Sequence, residues 1–160
     1  MNVEGRKVAL RTDLNLPLEN GRPQKTLRFN RYLETIRELS ESDAKTVILA
    51  HQGRPGRKDF ISLEKHSEFL NEEIDTQVYF VKSILGDQLE QTLDEMDDGE
   101  VALLENVRMM SEELKNYSGK KHAEDLYINN MADNFDLYIN DGFSVAHRSQ
   151  ASIVGLQEIL

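Results

Sequence analysis

Arginine and histidine recur in this sequence just after short apolar runs, a placement suited to holding an anion. His51 and Arg54 follow T-V-I-L-A, Asn106 and Arg108 follow V-A-L-L, and Asn140, Asp141, His147 and Arg148 follow L-Y-I. Asp13 and Asn15 come just after K-V-A-L-R-T. The planar fork of arginine binds phosphate or carboxylate in bidentate fashion. Gathered arginines repel one another, so a cluster of them calls for a small, multiply charged anion. Asp13 and Asn15 would add an acceptor and an amide for a hydroxyl or carboxyl group. Plainer readings stand beside these. Gly53 and Pro55 suit a turn that leaves Arg54 in water, and Asp13–Asn15 and Asn140–Asp141 suit Asx-turns. Arg28, in the first turn of a helix where a cation opposes the dipole, is either a neutral surface residue or placed for a ligand.

The elements that would position these groups alternate. Apolar runs at Lys7–Thr12, Thr46–Ala50, Val78–Val81, Val101–Leu104 and Leu137–Ile139 read as strands. Helices are expected between them. The first runs from Lys25 to Ser40 with Leu27, Tyr32, Leu33, Ile36 and Leu39 inward. The second is capped by Ser62 and runs to Ile74, with Leu63, Ser67, Leu70 and Ile74 inward. The third follows Leu85, Leu89, Leu93 and Met96, and the fourth spans Lys120–Met131 with Ala123, Leu126, Tyr127 and Met131 inward. Residues Asp13 to Pro23 read as a loop punctuated by Pro17, Gly21 and Pro23.

Such alternation implies right-handed crossovers and a Rossmann-like three-layer α/β sandwich, its largely parallel sheet covered by helices on both faces. Parallel strands bring Asp13, Asn15, His51, Arg54, Asn106, Arg108, Asn140, Asp141, His147 and Arg148 to one sheet edge, within reach of Arg28. Ligands of open α/β sheets sit at that edge.

The 160 residues suit one domain with a proper core. With 29 acidic against 19 basic residues the net charge is −10, which disfavours nucleic acid and anionic membranes as partners. Acidic clusters such as Asp94, Glu95, Asp97 and Asp98 read as a solvated face. No cysteine is present and no run reaches membrane-spanning length, which fits a cytoplasmic protein. Familiar phosphate-cradling glycine patterns and the G-x-S-x-G elbow are absent, and the histidines lack zinc-ligand spacing. Lys82 stands where a phosphoacceptor receiver domain needs Asp after its third strand. His66 and His122 fall within helical patterns and read as structural.

Four stretches in this order closely resemble the phosphoglycerate kinase family: R-T-D-L-N-L-P at Arg11–Pro17, H-Q-G-R-P at His51–Pro55, L-L-E-N-V-R at Leu103–Arg108 and N-D-G-F-S-V-A-H-R at Asn140–Arg148. The resemblance covers the whole chain but only the amino-terminal half of that enzyme. Leu14, Leu16, Gln52 and Met109 depart from the residues the family more often carries, and only Gln52 adds a polar group.

The resemblance implies a single domain over residues 1–160 that binds 3-phosphoglycerate or 1,3-bisphosphoglycerate through Asp13, Leu14, Asn15, Arg28, His51, Gln52, Gly53, Arg54, Arg108 and Arg148. Arg54, Arg108, Arg148 and His51 would hold the phosphate, and Asp13, Asn15 and Arg28 would face the glycerate end. Arg28 would be catalytic, stabilising the phosphoryl group that moves reversibly between ATP and the carboxylate. Mg-ATP or ADP would sit on a carboxyl-terminal nucleotide-binding domain absent from this chain, which alone would hold neither nucleotide nor metal and would not turn over. The alternative is a noncatalytic anion-binding or protein-interaction module on the same fold.

Overall fold

A computed structural model describes residues 2–160. Five parallel strands form its sheet: β1 (Lys7–Arg11), β4 (Lys45–Leu49), β5 (Val78–Val81), β6 (Val101–Leu104) and β7 (Leu137–Asn140). Their spatial order is β5-β6-β4-β1-β7. β-branched and aliphatic residues on both sides of each central strand explain why it is buried on both faces.

The period-2 alternation of side chains splits the interior into two layers. Val8, Leu10, Ile48, Val101 and Leu103 point to one face, where they meet Phe29, Leu33 and Ile36 of α1 (Leu27–Glu41) and Leu70 of α2 (Glu64–Glu73). Ala9, Val47, Leu49, Ala102 and Leu104 point to the other. That face is covered by Leu89 and Leu93 of α3 (Asp87–Glu95) and by Tyr127, Ile128 and Met131 of α5 (Leu126–Ala132). The sandwich is therefore three-layered, as the alternation of elements requires.

Several boundaries differ from the sequence expectation, each for a local reason. Thr26 caps α1 by accepting a hydrogen bond from Phe29 N at 3.1 Å, so the helix starts at Leu27. Leu27 itself is 89% exposed and off the inward stripe, which instead begins at the fully buried Phe29, stacked 4.9 Å from Phe69. Ser62 does not cap α2 from the N-cap position, which Leu63 holds. Its hydroxyl accepts from Glu64 N at 3.2 Å and donates to Glu105 Oε2 at 2.7 Å. The expected helix over Lys120–Met131 is two helices, α4 (Gly119–Ala123) and α5, because Asp125 caps the second by accepting from Tyr127 N at 2.9 Å. Leu126 consequently points outward, and Ile128 takes an inward place beside Tyr127.

Part of the first loop folds as a hairpin of β2 (Leu18–Glu19) and β3 (Arg22–Pro23). Asn20 and Gly21, both at positive φ, form its two-residue turn, the Asn-Gly combination that matches strand twist. After Arg148 the chain makes a π-helical turn at Ala151–Gly155 and closes with α6 (Leu156–Ile159).

Candidate functional site

The carboxyl ends of β6, β4, β1 and β7 lie side by side in the sheet, so the four loops that leave them share one rim. β5, whose following residue is Lys82, stands at the sheet edge beyond β6. Arg54, Arg108 and Arg148 come together with His51, Gly53, Asn15, Arg57 and Asp59 around one hollow. Asp13, Asn15, Thr26 and Arg28 line a second hollow, and Asn15 belongs to both.

Backbone geometry builds the first hollow. Gly53 sits at φ +68, and an added Cβ would lie 2.5 Å from the backbone of Asp59, so glycine alone lets the loop fold back this tightly. Asn106, fully buried, donates to the carbonyls of Gln52 (2.8 Å) and Ile61 (2.9 Å), pinning both ends of that loop. Its Oδ1 accepts from Arg108 N at 3.2 Å and opens the short helical turn that carries Arg108. Arg108 Nη1 then donates to Gly53 O at 2.6 Å. Asn106 thus shapes the rim without lining the hollow.

Gln52 is buried and turned away from the rim: its Oε1 accepts from Leu16 N at 2.9 Å and pairs with His66 Nε2 at 3.1 Å. Leu14 is likewise buried in the core. The side chains of these two residues, expected to contact the ligand, serve the scaffold, so only their backbone is available to the rim. His122 is also buried, its Nε2 bonded to Ser149 O at 2.8 Å. His147 is exposed and lines neither hollow.

Asp13 and Asn15 combine the two readings open to them. Asn15 N donates to Asp13 Oδ1 at 3.1 Å, an Asx-turn, while Asn15 Oδ1 accepts from Gly53 N at 2.9 Å. With its oxygen occupied, the Asn15 amide has its NH₂ group to offer. Asp13 Oδ2 accepts from Ser144 Oγ and lies 3.6 Å from Arg28 Nη1. Arg28 remains 64% exposed, tethered at one end and open to solvent at the other. At Asn140 the Asx-turn reading alone holds, with Oδ1 accepting from Gly142 N at 3.0 Å.

The electrostatics of the first hollow are strongly cationic. Among the described residues, Arg54, Arg108 and Arg148 have no carboxylate within ion-pair distance. Burial, and then repulsion from Arg148, Arg11 and Arg54, bring the Arg108 guanidinium down to about 10. Burial with Arg11, Arg108, Arg148 and Arg54 pushes His51 down to about 2, so the imidazole is neutral at physiological pH. An anion in the hollow would relieve the repulsion among these cations.

Sequence reading did not find Arg57, Asp59 and Thr26 as lining residues, nor Ser144 as the partner of Asp13. Arg57 lies beside H-Q-G-R-P and Ser144 inside N-D-G-F-S-V-A-H-R, and that position is the signal the sequence offers for them. A buried polar network behind the rim, of Arg11, Glu113, Ser152 and Tyr127, had no sequence signal at all.

Known proteins match the chain along its length. The family model described as phosphoglycerate kinase matches residues 1–160. The phosphoglycerate kinase of Halorubrum lacusprofundi is 44% identical over 96% of this chain, and that of Methanopyrus kandleri is 45% identical over 95%. The crystal structure of phosphoglycerate kinase from Pyrococcus horikoshii superposes with a TM-score of 0.94 at 38% identity over 99% of the chain. This chain spans 38% and 37% of those two relatives' length and 39% of the solved chain. With the family model matching from end to end, the chain belongs to the phosphoglycerate kinase family.

Proposed function

We propose that this chain is the 3-phosphoglycerate-binding part of a phosphoglycerate kinase, which reversibly transfers a phosphoryl group between ATP and the substrate carboxylate. The observation that carries this reading is the convergence of Arg54, Arg108 and Arg148 on one hollow that continues, through Asn15, to Asp13 and Arg28. Arg54, Arg108, Arg148 and the neutral His51 bind the phosphate. Asp13, the Asn15 amide and Arg28 face the glycerate end, and the backbone of Leu14, Gln52 and Gly53 completes the walls.

Phosphoryl transfer depends on positioning and charge neutralisation rather than on a protein nucleophile. Arg28 is the group suited to the moving phosphoryl, because its exposed guanidinium stands at the glycerate side of the rim. The nucleotide and its magnesium belong to a second domain, in keeping with relatives more than twice as long as this chain. Residues 1–160 form one domain facing it, and closure of the two would exclude water and align the reactants. Among the described residues no helix is long and apolar enough to cross a membrane, and we place the reaction in the cytoplasm.

Calorimetric titration with 3-phosphoglycerate beside glycerate tests this reading. Saturable binding of the phosphorylated acid, with no detectable binding of glycerate, is expected. Equal affinity for both would remove the arginine hollow from substrate recognition.

A further inference from the structure

The reading of the hollow as an anion site uses His51 but not Arg11, the largest of the side chains that are fully buried. We propose that Arg11 is a positioning residue: it holds His51 in the tautomer that carries its proton on Nε2, so that the ring offers an N–H donor to the hollow. This rests on the anion reading of that hollow.

The geometry fixes the assignment. Arg11 Nη2 stands 3.0 Å from His51 Nδ1. A guanidinium donates and cannot accept, so Nδ1 must be the acceptor and the ring proton sits on Nε2. A doubly protonated ring would set two donors against each other and add a further cation to a group already holding Arg11, Arg54, Arg108 and Arg148. His51 lines the hollow whereas Arg11 does not. Arg11 therefore acts through the imidazole.

Arg11 is itself held rigidly. Its Nε donates to Ser152 Oγ at 3.1 Å, and its Nη1 donates to the carbonyls of Thr12 and Leu49, the latter at 3.2 Å. Each of its three nitrogens is engaged inside the protein. Ser152 Oγ donates a hydrogen bond to Glu113 Oε2 at 2.9 Å, and Glu113 Oε1 accepts from Ser152 N at 2.7 Å and Tyr127 OH at 3.2 Å. Glu113 is the acidic partner of this buried guanidinium, with Ser152 as the bridge: burial pushes its carboxyl up, and Arg11 with the donors of Ser152 and Tyr127 favours the charged form. The chain of bonds Glu113–Ser152–Arg11–His51 thus runs from the core to the wall of the hollow. This orients the ring in the way that an outer partner orients a metal-bound histidine.

The test is the protonation pattern of the His51 ring nitrogens, read by long-range ¹H–¹⁵N NMR on the ligand-free chain, with 3-phosphoglycerate titration alongside. The wild type is expected to show Nε2–H with Nδ1 as an acceptor. Replacing Arg11→Met together with Glu113→Gln, so that no carboxylate loses its cation, should release the ring. Both tautomers should then appear, and the dissociation constant for 3-phosphoglycerate should rise roughly three- to tenfold, part of what one charge-assisted hydrogen bond contributes. His51→Gln, whose amide nitrogen can reach the Nε2 position, should bind better than His51→Asn. A wild-type Nδ1–H tautomer, unchanged tautomer signals in the folded double variant, or His51→Asn binding better than His51→Gln would each overturn the assignment. Should the double variant not fold, the wild-type spectrum and the Gln and Asn pair still decide. An Nε2–H ring in a wild type that ignores 3-phosphoglycerate would support the Arg11 assignment and overturn the anion reading instead.

Discussion

Gly53 N donates to Asn15 Oδ1 at 2.9 Å, joining the loop after β4 to the loop after β1 at the point where the two hollows meet. Gly53 is also where the loop folds back on Asp59 in a left-handed conformation, so the same residue carries the contact and the turn. Gly53→Ala should therefore damage both stability and binding. A left-handed alanine costs about 1–2 kcal/mol, and its Cβ would also press on the Asp59 backbone. Chemical denaturation should show a loss of at least that size. An alanine variant with wild-type midpoint and wild-type 3-phosphoglycerate affinity would mean that the loop has room the structure does not show.

Arg54 is exposed, and among the described residues its side chain makes no hydrogen bond or ion pair, its backbone carbonyl alone accepting from Arg57 N, so its replacement isolates a ligand contact. Arg54→Ala should weaken 3-phosphoglycerate binding by roughly 10- to 150-fold, the equivalent of a charge-assisted hydrogen bond. Circular dichroism should be unchanged. Unaltered affinity in calorimetry would remove Arg54 from the site.

Arg28 should behave differently in the proposed kinase, with a nucleotide domain present. A group aimed at transition-state charge lowers kcat by on the order of 10² or more when removed, with a smaller change in KM. Steady-state kinetics of Arg28→Ala decide the point. A rise in KM alone would make Arg28 an ordinary substrate contact.

The rim was legible in the sequence because parallel strands send their carboxyl ends the same way. The residues after Leu104, Ala50 and Ile139 need no further information to be placed together. The two-faced burial of Val47, Ile48 and Leu49 likewise follows from an unbroken apolar run. Leu27 and Leu126 were misread because an apolar residue at a helix start fits a stripe by spacing, while capping by Thr26 and Asp125 decides where the stripe begins. The β2–β3 hairpin is too short to leave a periodic pattern. Gln52, polar and next to His51, gave no sign that Leu16 and His66 would draw it inward. The Arg11–Ser152 contact joins positions 141 residues apart, and nothing local announces it.

His51 links the site to pH. In the unfolded chain it takes up a proton near its ordinary value of 6.5, whereas in the folded protein burial and the surrounding arginines hold it neutral down to about 2. Between those values the unfolded state binds more protons, so stability is full above pH 6.5 and falls as pH drops, with a slope of up to about 1.4 kcal/mol per pH unit from this group. Urea midpoints measured from pH 7 to 5 should fall less steeply for His51→Gln than for the wild type. Parallel slopes would show that His51 titrates normally in the folded chain.

The most direct test of the central claim is equilibrium titration of the purified chain with 3-phosphoglycerate at rising salt, beside ATP titration and a coupled turnover assay. The arginine hollow predicts saturable binding of 3-phosphoglycerate that weakens steeply with salt, since exposed charges are screened over about 10 Å at 0.1 M. It also predicts no specific ATP site and no turnover, because in-line transfer needs a second surface that holds the nucleotide. Failure to bind 3-phosphoglycerate, salt-independent binding, or saturable micromolar ATP binding with sustained turnover would contradict the account.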